Sequence, residues 1–231
     1  MTAAMTSIAD RVAGVRQRIA RACERAGRDP GGVRLIAVSK TFGPEAVAEA
    51  LAAGVTDFGE NRVQEALPKI AAVAGVAAER GLPAPRWHMV GHLQSNKARA
   101  AAGAFAILHG IDSTRLLDVL ERTAGDRIIP VLLEVNVAGE ATKYGFAPDD
   151  VAAALAYARG LSRVRVEGLM TVAPPVRDPE EARPVFRQLA GLARECGLRE
   201  LSMGMTGDFE VAIEEGATMV RIGRAIFGER A

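Results

Sequence analysis

The chain has 231 residues, of which 49% are hydrophobic, 25% charged and 4% aromatic, and its 29 basic residues are nearly balanced by 28 acidic ones. A formal net charge of +1 argues against the basic stripe of a nucleic-acid or anionic-membrane binder, and the hydrophobic content argues against disorder. The length suits one α/β barrel, since such barrels run as single units of roughly 200–250 residues, so one domain over residues 1–231 is expected.

Cys23 and Cys196 belong to no C-x-x-C pair, which argues against a disulfide framework or zinc cluster and for a reducing compartment. Met1 to Ala20 mixes small apolar residues with Asp10, Arg11, Arg16 and Arg18 and lacks the apolar segment of a signal peptide. No run approaches the roughly 20 apolar residues of a membrane span. A cytoplasmic protein without membrane or nucleic-acid partners is expected.

From Thr6 or Ser7, the apolar positions Ile8, Val12, Val15, Ile19 and Ala22 recur at helical spacing and predict a leading helix closing near Gly27. After Asp29-Pro30-Gly31-Gly32, the β-branched run Val33–Ser39 predicts strand 1. Helix Pro44–Ala53, strand Asp57–Glu60, helix Val63–Ala78 and strand Trp87–Val90 follow. Helix Asn96–Ala102, strand Ala106–His109 and a helix from Ser113, its N-cap, to Ala124 come next. Strand Ile128–Val137, helix Pro148–Arg159, strand Val164–Met170 and helix Pro179–Cys196 lead to strand Glu200–Met203. Helix Phe209–Glu215, strand Thr218–Ile222 and a last turn at Arg224–Phe227 end the series. Eight strands alternating with helices predict a parallel sheet closed into a (β/α)8 barrel, with an open doubly wound sheet as the alternative.

In such barrels the ligand sits at the C-terminal strand ends, and the loops after strands 7 and 8 commonly hold a phosphate. Here those loops read Ser202-Met203-Gly204-Met205-Thr206-Gly207-Asp208 and Arg221-Ile222-Gly223-Arg224. Glycines admit close backbone approach, and Arg221 and Arg224 offer charge-assisted bonds. Strand 1 ends at Lys40, one of only four lysines, the others being Lys69, Lys97 and Lys143. A lysine amine, unlike an arginine, loses its proton when desolvated and attacks a carbonyl. Lys40 is therefore a candidate imine former, whereas Lys69, on a polar helix face, reads as solvated. A Schiff-base lysine facing a phosphate cup suits either a phosphosugar or pyridoxal 5′-phosphate.

Asn61, after strand 2, either touches the ligand or caps the next helix. Asp208 and Glu210 either open the short helix or bind. His88 and His92 have H-x-x-x-H spacing, but His88 belongs to a strand and Gly91 interrupts the segment, so no metal site is expected. Tyr144 lies in the loop after strand 5, near the mouth, and Tyr157 reads as helix packing.

These segments closely resemble the pyridoxal-phosphate homeostasis protein family, small relatives of the alanine-racemase barrel. The matching stretches are Leu35–Thr41, Phe58–Asn61 with Val63-Gln64-Glu65, Trp87–Lys97, Glu134–Val137 with Lys143–Phe146, Gly168–Thr171, and Leu201–Met205 through Arg221–Gly223. The resemblance implies a fold-type-III-like barrel in which Lys40 carries pyridoxal phosphate covalently and Ser202, Gly204, Met205, Arg221 and Gly223 surround the phosphate. Family members often place a small hydroxyl residue where this chain has Arg224, so a side-chain contact is expected to be lost there and a backbone amide to remain. It also implies a carrier and regulator of the cofactor pool, giving cofactor to apo enzymes, without established turnover and so without catalytic residues. Related racemases carry an extra β domain and a second acid/base tyrosine. Eight β/α units and the leading helix use up this sequence, so that domain is not expected, and a monomer is. The alternative is a racemase or other amino-acid enzyme with the same cofactor.

Overall fold

A computed structural model describes residues 7–229; the alternative helix start at Thr6 and the expected end at Ala231 lie outside them. Strands β1 (Arg34–Val38), β2 (Asp57–Glu60), β3 (Arg86–Met89), β4 (Ile107–Ile111), β5 (Ile129–Glu134), β6 (Val164–Met170), β7 (Glu200–Ser202) and β8 (Met219–Ile222) each pair in parallel with the next. β8 then pairs with β1, Arg34 opposite Met219 and Ala37 opposite Ile222, so the sheet closes and the open-sheet alternative falls. Parallel neighbours need crossovers, and these are helices: α2 (Pro44–Ala52), α3 (Val63–Glu79), α4 (Ala98–Ala104), α5 (Thr114–Thr123), α6 (Val151–Arg159), α7 (Arg183–Glu195) and α8 (Phe209–Glu214). A one-turn helix, α9 (Arg224–Phe227), follows β8.

Successive strand side chains alternate between lumen and helix layer. Ile36, Ile107, Leu132, Met170 and Met219 form an apolar plug within the lumen, while a larger cluster fills the space between strands and helices. One glycine makes a close approach possible. A Cβ on Gly168 would stand 1.9 Å from the Glu200 carbonyl oxygen, so any side chain there would force β6 and β7 apart.

The leading helix α1 (Ile8–Arg25) starts at a reciprocal capping box between Ser7 and Asp10. Its apolar stripe is buried, and the helix packs against α2, α8 and α9. Arg18 pairs with Glu210 and Arg25 with Glu214, both at 2.7 Å, which ties the helix to the outside of the barrel's closing seam.

Several boundaries differ from expectation for local reasons. Strand 5 stops at Glu134 because the chain beyond folds back on itself: Asn136 N–H donates to the Phe146 carbonyl, Phe146 N–H to that of Glu134, and the Asn136 amide brackets Glu140. The helices expected from Asn96, Pro148 and Pro179 each open with a tight 3-10 turn. Tyr157 is half exposed, not packed, and its hydroxyl donates to Asp118 at 2.5 Å, linking α6 to α5.

Candidate functional site

The C-terminal strand ends surround a cavity of about 920 Å³. Lys40, Asn61, Met205, Arg221, Gly223 and Arg224 line it, so chain-distant segments converge on one space; Ser202 and Gly204 are not among its lining residues.

Lys40 stands on a built platform. The Phe42 N–H donates to the Ser39 carbonyl at 3.0 Å, closing a turn with Lys40 and Thr41 at its centre. Thr41 has φ +71°, the one non-glycine residue at positive φ among the described residues, a conformation costing about 1–2 kcal/mol. The surroundings hold it. The Ser39 hydroxyl donates to Glu60 Oε1 at 2.7 Å, and Lys69 Nζ donates both to that oxygen (2.7 Å) and to the Ser39 carbonyl (2.8 Å). The expectation of a solvated Lys69 is therefore corrected. Val63, Ala66 and Val73 bury the same face of α3, and that face carries Lys69 inward to neutralise a wholly buried Glu60.

Arg221 forms the cationic floor. Nη1 donates to the Ser202 carbonyl (2.7 Å) and hydroxyl (2.5 Å), and Nη2 to the Thr171 carbonyl (2.8 Å). Burial lowers its pKa to about 10, with Glu134 and Asp208 opposing, so the guanidinium stays charged at neutral pH. Three of its five N–H donors are thus committed to protein acceptors.

The loop after β7 is shaped by Gly204 at φ +90°, where a Cβ would lie 2.6 Å from that of Ala212. Met205 N–H donates to Asp208 Oδ1 at 2.6 Å, so Asp208 braces the loop and gives α8 no side-chain cap bond. Burial raises the Asp208 pKa. Glu210 pairs with Arg18, away from the cavity lining. Arg224 is exposed at the start of α9 yet borders the cavity. Asn61 also borders it, and the N-cap of α3 is Arg62.

Tyr144 is exposed and stacks on His92 with ring centroids 3.7 Å apart, and His92 Nδ1 lies 3.1 Å from Asp112. Tyr144 is absent from the described cavity lining. His88 instead points into the lumen at Asp57, 2.8 Å away, so the two histidines share no ligand position.

Glu134, the last residue of β5, was not singled out by sequence reasoning; the available signal was a carboxylate ending a buried strand. Burial pushes its carboxyl from 4.5 up to about 7, with Arg221 opposing and Asp112 adding to the rise. A carboxyl raised in the folded state contributes stability that is complete below its unfolded value and lost as pH climbs through about 7. Glu134→Gln should therefore match the parent near pH 5 and melt above it near pH 8, by an amount of at most about 3 kcal/mol. Thermal melts at the two pH values check this.

The family model of the alanine racemase N-terminal domain matches residues 12–231. The pyridoxal phosphate homeostasis protein of Aquifex aeolicus is 43% identical over 229 residues, covering 96% of this chain and 97% of that protein. The chain belongs to the pyridoxal phosphate homeostasis protein family. A structure of the similar protein PipY from Synechococcus elongatus, with PLP bound, matches at a TM-score of 0.80 and 37% identity over 96% of this chain and 100% of that one. The histidine racemase of Leuconostoc mesenteroides matches at a TM-score of 0.64 but only 16% identity, over 93% of this chain and 58% of that one; it shares the barrel.

Proposed function

We propose that this family member holds pyridoxal 5′-phosphate covalently on Lys40 and acts in the cytoplasm as a monomeric carrier and regulator of the cofactor pool, surrendering it to apo enzymes without a turnover reaction of its own. The observation that carries this reading is the placement of Lys40, on a braced turn, across one cavity from the loops after β7 and β8. The residues fit the group. When bound, the cofactor supplies an aldehyde that condenses with the lysine amine with loss of water, and a phosphate that needs N–H donors. At Gly223 a Cβ would stand 3.2 Å from the Val38 carbonyl oxygen, so glycine keeps the backbone close to β1 at the cavity edge. With the Met205 amide engaged by Asp208, the phosphate falls to the amides of Thr206, Gly207, Gly223 and Arg224. Ser202 and Gly204 act from behind the lining, one on Arg221 and the other through the bend of the loop.

The free cysteines, buried Cys23 and half-buried Cys196, suit a reducing compartment, and no described helix is long and apolar enough to cross a membrane. Borohydride reduction of the loaded protein followed by peptide mapping tests the site: label on the Lys40 peptide supports it, and label on Lys143 alone, also at the cavity, overturns it. Arg221→Gln should weaken cofactor retention by about 1.5–3 kcal/mol, the usual worth of a hydrogen bond to a charged group. Equal retention in equilibrium dialysis would leave the backbone amides as the whole of the anion site.

A further inference from the structure

A line of hydrogen bonds crosses the barrel lumen from β2 to β8. Asp57 Oδ1 lies 2.8 Å from His88 Nε2, His88 Nδ1 lies 3.0 Å from His109 Nε2, and His109 Nδ1 lies 2.9 Å from the Ser202 hydroxyl, which receives Arg221 Nη1 at 2.5 Å. His88, His109 and Ser202 are wholly buried, and Asp57 and Arg221 nearly so. Shielded from bulk solvent and bonded to one another, these groups have proton positions that follow from their neighbours.

The ends fix the direction. Asp57 also accepts from the Thr56 hydroxyl at 2.7 Å and has Arg34 and Arg86 within 4 Å, which keeps it an anionic acceptor. His88 must then donate through Nε2. Burial lowers the pKa of both imidazoles, that of His109 further because His88 and Arg221 repel its charge, so each ring is neutral and carries one proton. With its proton on Nε2, His88 accepts at Nδ1; His109 donates there through Nε2 and accepts at its own Nδ1 from Ser202. The Ser202 hydroxyl, its proton given to His109, presents only lone pairs to Arg221.

We propose that Asp57, His88, His109 and Ser202 form a polarised positioning relay that holds the Arg221 guanidinium in one orientation at the cavity floor. This rests on reading the cavity as the cofactor site. Every dipole points the same way, from cation to carboxylate, an arrangement in which successive hydrogen bonds strengthen one another. Arg221 Nη1 is anchored on two Ser202 oxygens and Nη2 on Thr171, which leaves two N–H donors for whatever acceptor lies above. Reversing any link would turn the Ser202 proton toward Arg221 and set donor against donor. The relay also explains why Ser202 is missing from the cavity lining: its hydroxyl serves the arginine.

Two measurements test the relay separately from the cofactor reading. In the protein without added cofactor, long-range ¹H–¹⁵N spectra should show both rings neutral and protonated at Nε2 from about pH 6 to about pH 8. An Nδ1-protonated ring, or one titrating within that range, overturns the relay. With pyridoxal phosphate loaded, His109→Phe keeps an aromatic ring but deletes both links. It should shift the visible band in the same direction as Arg221→Gln and lower retention about tenfold. Adding His109→Phe to Arg221→Gln should then produce little further loss, because one acts through the other. Additive losses with an unshifted band would reduce His109 to a packing role and overturn the proposal. Failure of the cofactor reading would look different: no label on Lys40 after reduction, with the tautomers still as stated.

Discussion

Replacing Lys40 with alanine is expected to give a folded, colourless protein from which desalting strips pyridoxal phosphate. The side chain contributes its amine to the cavity, and the turn beneath it is held by others: Ser39 on Glu60, Phe42 N–H on the Ser39 carbonyl, and Lys69 on both Ser39 and Glu60. Those bonds all remain in the variant, so it should still fold with a cooperative melt. What remains for the cofactor is a handful of hydrogen bonds worth about 1 kcal/mol each. Absorbance of the dialysed variant and its thermal melt check both halves. A yellow Lys40→Ala protein, or one that does not fold, contradicts the assignment. Lys143 is the informative control, since it lines the same cavity and is held by Glu140 (2.5 Å) and the Val172 carbonyl (3.3 Å).

Lys69→Met should be the most destabilising of the charged-residue changes. It keeps the aliphatic stem but strands the Glu60 carboxylate, which is wholly inaccessible, with the Ser39 hydroxyl still donating to Oε1 and no hydrogen-bond partner on Oε2. Removing one member of a buried pair costs about 3–5 kcal/mol because the surviving charge is left uncompensated. At about 2–4 °C per kcal/mol for a chain of this size, the melt should fall by roughly 10 °C. Combining Lys69→Met with Glu60→Leu should recover most of the loss, since the penalty lies in the stranded charge. Denaturant unfolding of the three variants gives the comparison. A single variant within about 0.5 kcal/mol of the parent would contradict the stranded-charge account.

The barrel was legible because its evidence is local. Buried parallel strands are short β-branched runs between breakers, and amphipathic helices repeat at a period of 3.6, so the strand and helix order from Val33 to Phe227 follows from patterns a few residues wide. Lys40 was legible for a similar reason: it ends a strand in a chain that otherwise uses arginine. The braces behind the site were not legible. Asp57, His88, His109, Ser202 and Arg221 sit on five strands, and nothing in their spacing says that they meet in the lumen. Lys69 looked solvated because its neighbours on α3 are mixed, and the buried carboxylate that draws it inward lies on β2. Glu134 reads as an ordinary strand residue until burial and the charges of Arg221 and Asp112 act on it. The positive φ of Thr41 has no sequence signature, because threonine normally avoids that region.

The racemase alternative requires a second acid/base group over the cofactor. Tyr144, the candidate in the loop after β5, is stacked on His92 and is absent from the described cavity lining. Exchange of amino-acid α-protons in deuterated water, none being expected from the loaded protein, separates an enzyme from a carrier.

The most direct test of the carrier role is to mix the protein, loaded with pyridoxal phosphate and freed of excess by dialysis, with an apo enzyme that depends on this cofactor, and to follow the activity that the apo enzyme regains. Activity rising toward the amount of cofactor supplied, with matching loss of the bound cofactor's visible absorbance from the protein, is the expected result; no gain, with the cofactor still bound to the protein, would contradict it.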